Sequence, residues 1–489
     1  MSLGALISIS VLNPKDNLIS WQMLLGVLGS TVLMIILSAI WERIWKITIK
    51  FKWLFPILTS LFAITLFIIS IIGRNEPASS DDYGRVWNAA WSLAHGEEIQ
   101  DAYYLMNYSN NIKPMLLLYL VFRFSACLSI DDPFYIILLI NVIGVVASIC
   151  GLHYILNNDN NRSKYGVPVI VCYICCLPIW AMTQTFYTDA MSLCFSVVII
   201  ALAKKMFTCQ NKILTVLLCI IMGILLALGM DIKVTILIPL IAASIVYIII
   251  KDCSMNKKTI GCFCCILLSF GIAQFSFDTW ANSFEITQES KVTEDPIITW
   301  IGLGLKEDGS FHANLDYINT VHDFSTKAEK EEYCKDYIRE NFRYFYDLEH
   351  IVAKIRCTYA SGHLGSAEFS YIAKYKDNIL WQLFSPWGRF YWRSSQMGFC
   401  YLHSLFSVCF IGNIITVYRY IKDKKHSKTL MLFDLAMLGY FLFLLIWEAN
   451  NRQLYNMLPI LIGAAILNGK QIVECIEFLR NIIIRRKAN

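Results

Sequence analysis

The chain has 489 residues, 56% hydrophobic and only 16% charged, with a net charge of +5 and a mean hydropathy of +0.52. Soluble globular proteins average ~45–50% apolar and ~25% charged residues, so a water-soluble enzyme is excluded. The surplus positive charge is scattered through short loops, which is not the footprint of a nucleic-acid binder.

Met1–Leu12 is apolar but has no basic start and no small-residue cleavage site before Pro14-Lys15-Asp16, so no cleavable signal is expected. Apolar runs follow at about 20–41, 53–73, 134–156, 166–183, 189–206, 213–230, 233–250, 259–276, 398–421, 430–447 and 454–470. A span needs ~20 apolar residues, and these eleven runs predict an α-helical polytopic membrane protein with about eleven transmembrane helices. A twelfth run, Met115–Phe124, is short and contains Arg123. Treated as a surface helix, it leaves Arg43/Lys46/Lys50/Lys52, Arg162/Lys164, Lys204/Lys205/Lys212, Lys251/Lys257/Lys258, Arg419–Lys428 and Arg485-Arg486-Lys487 all on one side. That side is the cytoplasm by the positive-inside tendency, with the N-terminus outside and the C-terminus inside. The expected organisation is a transmembrane module over 1–276 with a first outer loop at 74–133, an extracytoplasmic domain at 277–397 that is small and α-rich or mixed, and a transmembrane module over 398–489.

In the first outer loop, Asp81-Asp82 precedes Val86, Ala89, Ala90 and Leu93, which recur at helical spacing. The adjacent carboxylates suit a general base or half of a metal site, and equally a helix cap. Lys113, before Pro114, either holds a lipid phosphate or is a snorkelling lysine. The next outer turn carries Tyr187-Thr188-Asp189, where Asp189 is a functional acid or a cap, and the third carries Asp231 and Lys233. Segment 277–397 predicts a charged amphipathic helix near Lys327–Ile355. Its aromatic stretch Trp381–Arg393 reads as an interfacial belt, or as a place where a sugar stacks and Arg389 holds a phosphate. The last outer turn returns Glu448 and Arg452 to the same surface. Most of the seventeen cysteines lie in apolar runs and act as small hydrophobes. Cys334 and Cys357 lie in the polar segment, where one disulfide is allowed and not demanded.

In order and topology these segments resemble the GT-C superfamily of integral-membrane glycosyltransferases, whose best-known members are protein O-mannosyltransferases and the lipid A aminoarabinose transferase. Asp81-Asp82, the helix Val86–Leu93 and Gly96 look like the family's acidic pair, helix and glycine. Lys113-Pro114 is similar to its phosphate-contacting lysine-proline pair, and Tyr187-Thr188-Asp189 to its second acidic motif. Glu448–Tyr455 resembles its C-terminal Glu-x-x-x-Arg-Tyr element, departing from it with Gln453 in the tyrosine position.

The resemblance implies a GT-C-like fold and an inverting glycosyl transfer at the outer face of the plasma membrane. The donor would be a polyprenyl-phosphate-linked sugar. The acceptor would be a bacterial cell-envelope glycan, lipid or protein, with membrane lipid the other partner and no nucleic acid involved. Asp81 or Asp82 would be the base, the spacing to Gly96 favouring Asp81. Lys113, Lys233 and Arg452 would face the donor phosphate. Asp189, Arg389 and Glu448 would complete the substrate-binding set. No cofactor is required; a divalent metal ion, used by some relatives, would fall to Asp81, Asp82 and Asp189. A lipid-linked polysaccharide polymerase, and a flippase or transporter of lipid-linked sugars, are the alternatives.

Overall fold

The computed structural model describes residues 21–48, 51–74, 81–157, 164–249, 257–366, 378–423 and 427–488. Met1–Leu12, Lys50, Arg162 and Lys251 lie outside them. Every regular element among the described residues is helical, as lipid demands of a chain whose backbone polar groups must be satisfied within the segment. In chain order the α-helices are α1 (Trp21–Thr48), α2 (Leu54–Ile72), α3 (Asp82–His95), α4 (Ala102–Asn107), α5 (Ile112–Cys127), α6 (Phe134–Leu156), α7 (Gly166–Cys175), α8 (Leu177–Met182), α9 (Thr188–Ser192), α10 (Phe195–Thr208) and α11 (Lys212–Ile232). They continue with α12 (Leu237–Ile249), α13 (Lys257–Ala281), α14 (Glu285–Thr293), α15 (Ile298–Leu303), α16 (Leu315–His322), α17 (Lys327–Glu340), α18 (Leu348–Tyr359), α19 (Ile379–Phe384), α20 (Tyr391–Asp423), α21 (Lys428–Ile446) and α22 (Leu458–Ala488).

Among the described residues, nine helical stretches are long and apolar enough to cross a membrane: Trp21–Trp45, Leu54–Ile72, Phe134–Leu156, Thr188–Thr208, Lys212–Ile232, Thr259–Ala281, Tyr391–Lys422, Lys428–Ile446 and Asn451–Arg485. The other two of the eleven expected spans are shorter, at Gly166–Cys175 and Val234–Tyr247. The first is interrupted at Cys176, whose backbone is extended, and the next helix restarts at Leu177 with Pro178 in its first turn, where a proline that cannot donate to a preceding turn is tolerated. The second starts with a 3-10 turn at Val234–Ile236. Helix α5 has 16 residues and carries Lys113 and Arg123, so it falls short of spanning length.

Contacts between span ends show that the chain alternates between two ends of the bundle. At one end, Lys164 pairs with Glu42 at 2.6 Å and Arg419 with Glu474 at 2.7 Å. There Lys204 Nζ donates to the carbonyls of Tyr154, Ile155 and Asn157 at 2.6–3.1 Å, a cation placed on the negative C-terminus of α6. The opposite end, called the upper end below, carries both long segments, α3–α5 and α14–α19.

Helices α15–α17 form a small core of their own from Leu303, Tyr317, Ile318, Val321 and Cys334. A buried strut joins them to the first long loop. Lys330 Nζ lies 2.8 Å from Asp295 Oδ1, 2.6 Å from Asn107 Oδ1 and 2.6 Å from the Thr293 carbonyl. The helix expected over Lys327–Ile355 is in fact two. Thr326 and Glu329 form a capping box that starts α17 at Lys327, and a 3-10 turn at Phe342–Phe345 separates it from α18.

Helix α18 runs down among the spans, so the 277–397 segment does not stand clear of the bundle. Its Tyr359 ring lies 5.8 Å from Phe406 of α20 and 6.4 Å from Phe441 of α21. Gly362 then meets Gly398 backbone to backbone, an approach that a Cβ on either would block. Cys334 and Cys357 do not pair. Cys334 is buried in the small core beside Tyr317 and Thr299, while Cys357 Sγ faces the Ala449 carbonyl at 3.6 Å.

Candidate functional site

Four turns that are far apart in sequence meet at the upper end. Helix α3 begins there because Asp81 caps it: its Oδ1 accepts the Gly84 N–H at 2.6 Å, and Gly96, in the left-handed region at φ +73°, closes the other end. The cap places Asp82 in the first turn, where the helix dipole favours a carboxylate. Val86, Ala89 and Ala90 are buried and fix the helix on its apolar face.

Asp82 is the hub. Its Oδ1 accepts the Tyr104 hydroxyl at 2.9 Å, and its Oδ2 lies 3.2 Å from Arg452 Nη1 and 3.4 Å from the Tyr187 hydroxyl. Tyr104 in turn accepts from Asn111 Nδ2 at 2.7 Å, and Tyr187 donates to Asn111 Oδ1 at 3.0 Å. Burial pushes both phenols well above their ordinary pKa, so they remain proton donors. The Asp82 side chain is still 39% exposed. A carboxylate held on one edge and open on another can accept a proton from a bound molecule.

Arg452 links Asp82 to Asp189, its Nε lying 3.5 Å from Asp189 Oδ2 and its guanidinium 5.5 Å from the centre of the Tyr187 ring. Asp189 is fully buried and pairs with Lys233 as well. Burial pulls the Lys233 ammonium below its ordinary pKa, and the Asp189 carboxylate opposes that shift. The spacing of Glu448 and Arg452 follows from Asn450, which caps the 3-10 turn Asn451–Met457 by accepting the Arg452 N–H at 3.0 Å and donates from Nδ2 to Glu448 Oε1 at 3.4 Å. Tyr455 is 1% exposed and belongs to the hydrophobic core.

Two features that sequence reasoning missed hold this turn in place. Lys354 of α18 is buried and has no carboxylate partner among the described residues. Its Nζ donates to the carbonyls of Gly304, Leu445 and Trp447 at 2.7–2.9 Å, at the C-terminal end of α21. Burial pulls its pKa down to about 7, against the opposing pull of nearby Cys357 and Glu448. Gly365, at φ +82°, lies so close that a Cβ would sit 2.6 Å from Arg452 Cβ. Neither position stands out in sequence, since a lysine on an amphipathic helix and a glycine in a loop look ordinary.

Two expected members lie apart. Lys113 pairs with Asp231, and with Asp278 at 2.6 Å, in a cluster that Gln274 completes by donating to Asp231 at 2.8 Å. Lys113 therefore sits in a charged cluster of its own, between two carboxylates from other helices. Arg389 is exposed; its backbone N–H donates to Gln382 Oε1 at 2.7 Å and its guanidinium lies over Phe390 at 5.5 Å, neither of them a hub residue.

A divalent metal does not fit Asp81, Asp82 and Asp189. Oδ1 of Asp81 serves the helix cap, and the cationic groups of Lys233 and Arg452 stand against the other two carboxylates where a metal ion would compete with them. The described residues hold no group of three or more histidines, cysteines or acids arranged for a metal.

The chain belongs to a family described as conserved hypothetical integral membrane proteins, which it matches over residues 6–473. No curated protein and no solved structure matches it.

Proposed function

We propose that this integral membrane protein is an inverting glycosyltransferase of the GT-C kind, working on a polyprenyl-phosphate-linked sugar at the extracytoplasmic face. The observation that carries this reading is the convergence of Asp189, Lys233 and Arg452, with Tyr104 and Tyr187, around the partly open carboxylate of Asp82 at the ends of the spans. A transporter would instead concentrate its ionisable groups near mid-membrane.

In the proposed reaction Asp82 takes the proton of an acceptor hydroxyl as its oxygen attacks the anomeric carbon. The bond from that carbon to the phosphate oxygen breaks, and the polyprenyl phosphate leaves with the electron pair. Arg452, planar and rich in N–H donors, faces the phosphate as its charge grows. Asp189, itself paired with Lys233, holds Arg452 in position, and no step is routed through a metal. Asp81 serves the hub indirectly, by setting the start of α3. Given an acceptor saccharide with free hydroxyls, the protein in lipid nanodiscs should release polyprenyl phosphate from a polyprenyl-phosphate monosaccharide as the sugar passes to the acceptor, and should be inert towards nucleotide sugars, with a chelator having no effect. Turnover of a nucleotide sugar without any lipid carrier would sink the reading.

The sidedness rests on charge. The end opposite the hub carries Lys164, Lys204, Arg419 and Lys470, which supports a cytoplasmic position for it by the positive-inside tendency. In a background with exposed native cysteines replaced, Glu98→Cys and Lys335→Cys should react with a membrane-impermeant maleimide on intact cells. Lys212→Cys should react only after permeabilisation. The reverse pattern would put the hub on the cytoplasmic side and remove the flipped lipid donor from consideration.

A further inference from the structure

An aromatic track leads away from the hub along the seam between the first long loop and α15–α16. Tyr104, which donates to Asp82, is 5% exposed. Its ring centre lies 4.9 Å from that of Tyr108; Tyr108 lies 5.9 Å from Trp300 and 5.5 Å from His322; and His322 lies 6.4 Å from Tyr103, which is 65% exposed. Tyr108, Trp300 and His322 are half-buried, so the rings pass in steps from the covered hub to the open surface. The seam itself is rigid, because the Lys330–Asp295–Asn107 strut joins its two sides and His322 Nε2 is held 2.9 Å from Asp295 Oδ2. Rings fixed in this way lose little freedom when a flat partner lies on them.

The charge at the inner end of the track is distinctive. The Arg85 guanidinium lies 5.0 Å from the centre of the Tyr104 ring, one helical turn from Asp82. It is paired with no carboxylate among the described residues, whereas Lys113, Lys233 and Arg452 each face at least one. The sequence gives no hint of this, since Arg85 is one arginine among many in polar segments.

We propose that this track is the acceptor subsite and that it takes an anionic saccharide, with sugar faces on Tyr108 and Trp300 and an acidic substituent on Arg85. The assignment rests on the glycosyltransferase reading above and deepens it by naming the acceptor's chemistry. Aromatic faces suit the C–H surface of a pyranose, while a guanidinium suits a carboxylate or phosphate bidentately. The steps of 4.9–6.4 Å between ring centres are on the scale of successive sugar units. A neutral glycan would leave Arg85 without an ion-pair partner. A peptide acceptor would not need a row of rings.

The test is equilibrium binding by titration calorimetry with full-length protein in nanodiscs and no donor present. The probes are a hexasaccharide of alternating uronic acid and N-acetylhexosamine, and neutral maltohexaose. The acidic hexasaccharide should bind at least about tenfold tighter than the neutral one, and Arg85→Gln should erase that preference. Trp300→Leu should weaken the acidic probe by about tenfold or more, and Trp300→Phe should restore most of its binding. Equal binding of the two probes, no binding of either, or a preference that survives Arg85→Gln overturns the assignment. Donor turnover measured separately keeps the two ideas apart. If polyprenyl phosphate is released but the acidic hexasaccharide does not bind, the subsite falls and the enzyme reading stands. If it binds as expected but no donor is consumed, the enzyme reading falls and what stands is an anionic-saccharide site.

Discussion

Asp82→Asn is expected to lower turnover by ~10²–10⁴-fold, the usual cost of losing a general base, while Asp81→Asn leaves it within a few-fold of wild type. The difference follows from what each carboxylate does. Asp81 accepts one backbone N–H as the cap of α3, and asparagine caps about as well as aspartate. Asp82 accepts from Tyr104 and Arg452 on its two oxygens, has the Tyr187 hydroxyl at 3.4 Å, and keeps an exposed edge. Its amide would preserve the shape and lose the proton acceptor. A third variant separates capping from chemistry. Asp81→Ala should cost about 1 kcal/mol of stability and should reduce turnover only as far as α3 frays. Release of polyprenyl phosphate by the three variants, at matched amounts of folded protein, decides the matter. If Asp81→Asn proves inert and Asp82→Asn active, the base is Asp81, as its spacing to Gly96 suggests.

The spans were legible because lipid imposes length and composition on each of them independently of its neighbours. Among the described residues, nine of the eleven apolar runs are helices long and apolar enough to span, and the two that fall short are the ones broken before Pro178 and by the 3-10 turn after Lys233. The acidic turns were legible for a related reason: Asp82, Asp189, Lys233 and Arg452 are polar groups next to apolar runs, and alternation brings them to one end. What stayed hidden depends on the third dimension. Lys113 reads as a lone cation in sequence, yet Asp231 and Asp278 come from two other helices to neutralise it. Lys354 and Arg85 sit on helices with unremarkable patterns, and only packing reveals that one is buried on three carbonyls and the other lies over a ring. Helix α18 shows a charged, solvent-like pattern because its upper part is exposed, although its lower end reaches Phe406 and Phe441.

Arg452 is the second position where a large effect is expected, and Gly365 tests it from outside. Arg452→Ala leaves the fully buried Asp189 with Lys233 alone and takes one partner from Asp82. Breaking a fully buried pair costs ~3–5 kcal/mol; since Lys233 remains, about 1–3 kcal/mol is the reasonable range here, with turnover falling at least about a hundredfold. Arg452→Lys keeps the charge, but a single ammonium cannot span Asp82 and Asp189 as a guanidinium does. It should therefore keep most of the stability and lose about ten- to a hundredfold in turnover. Gly365→Ala changes no group that touches a substrate. It strains a backbone at φ +82° and sets a methyl 2.6 Å from Arg452 Cβ, so the arginine must shift. If that shift is what matters, Gly365→Ala should reduce turnover strongly in the wild-type background and hardly at all in Arg452→Ala. The coupling should appear as a non-additive cycle of ~0.5–3 kcal/mol. Equal loss in both backgrounds would mean that Gly365 supports the fold generally, and that the position of Arg452 is set by Asp189 and Asn450 without it.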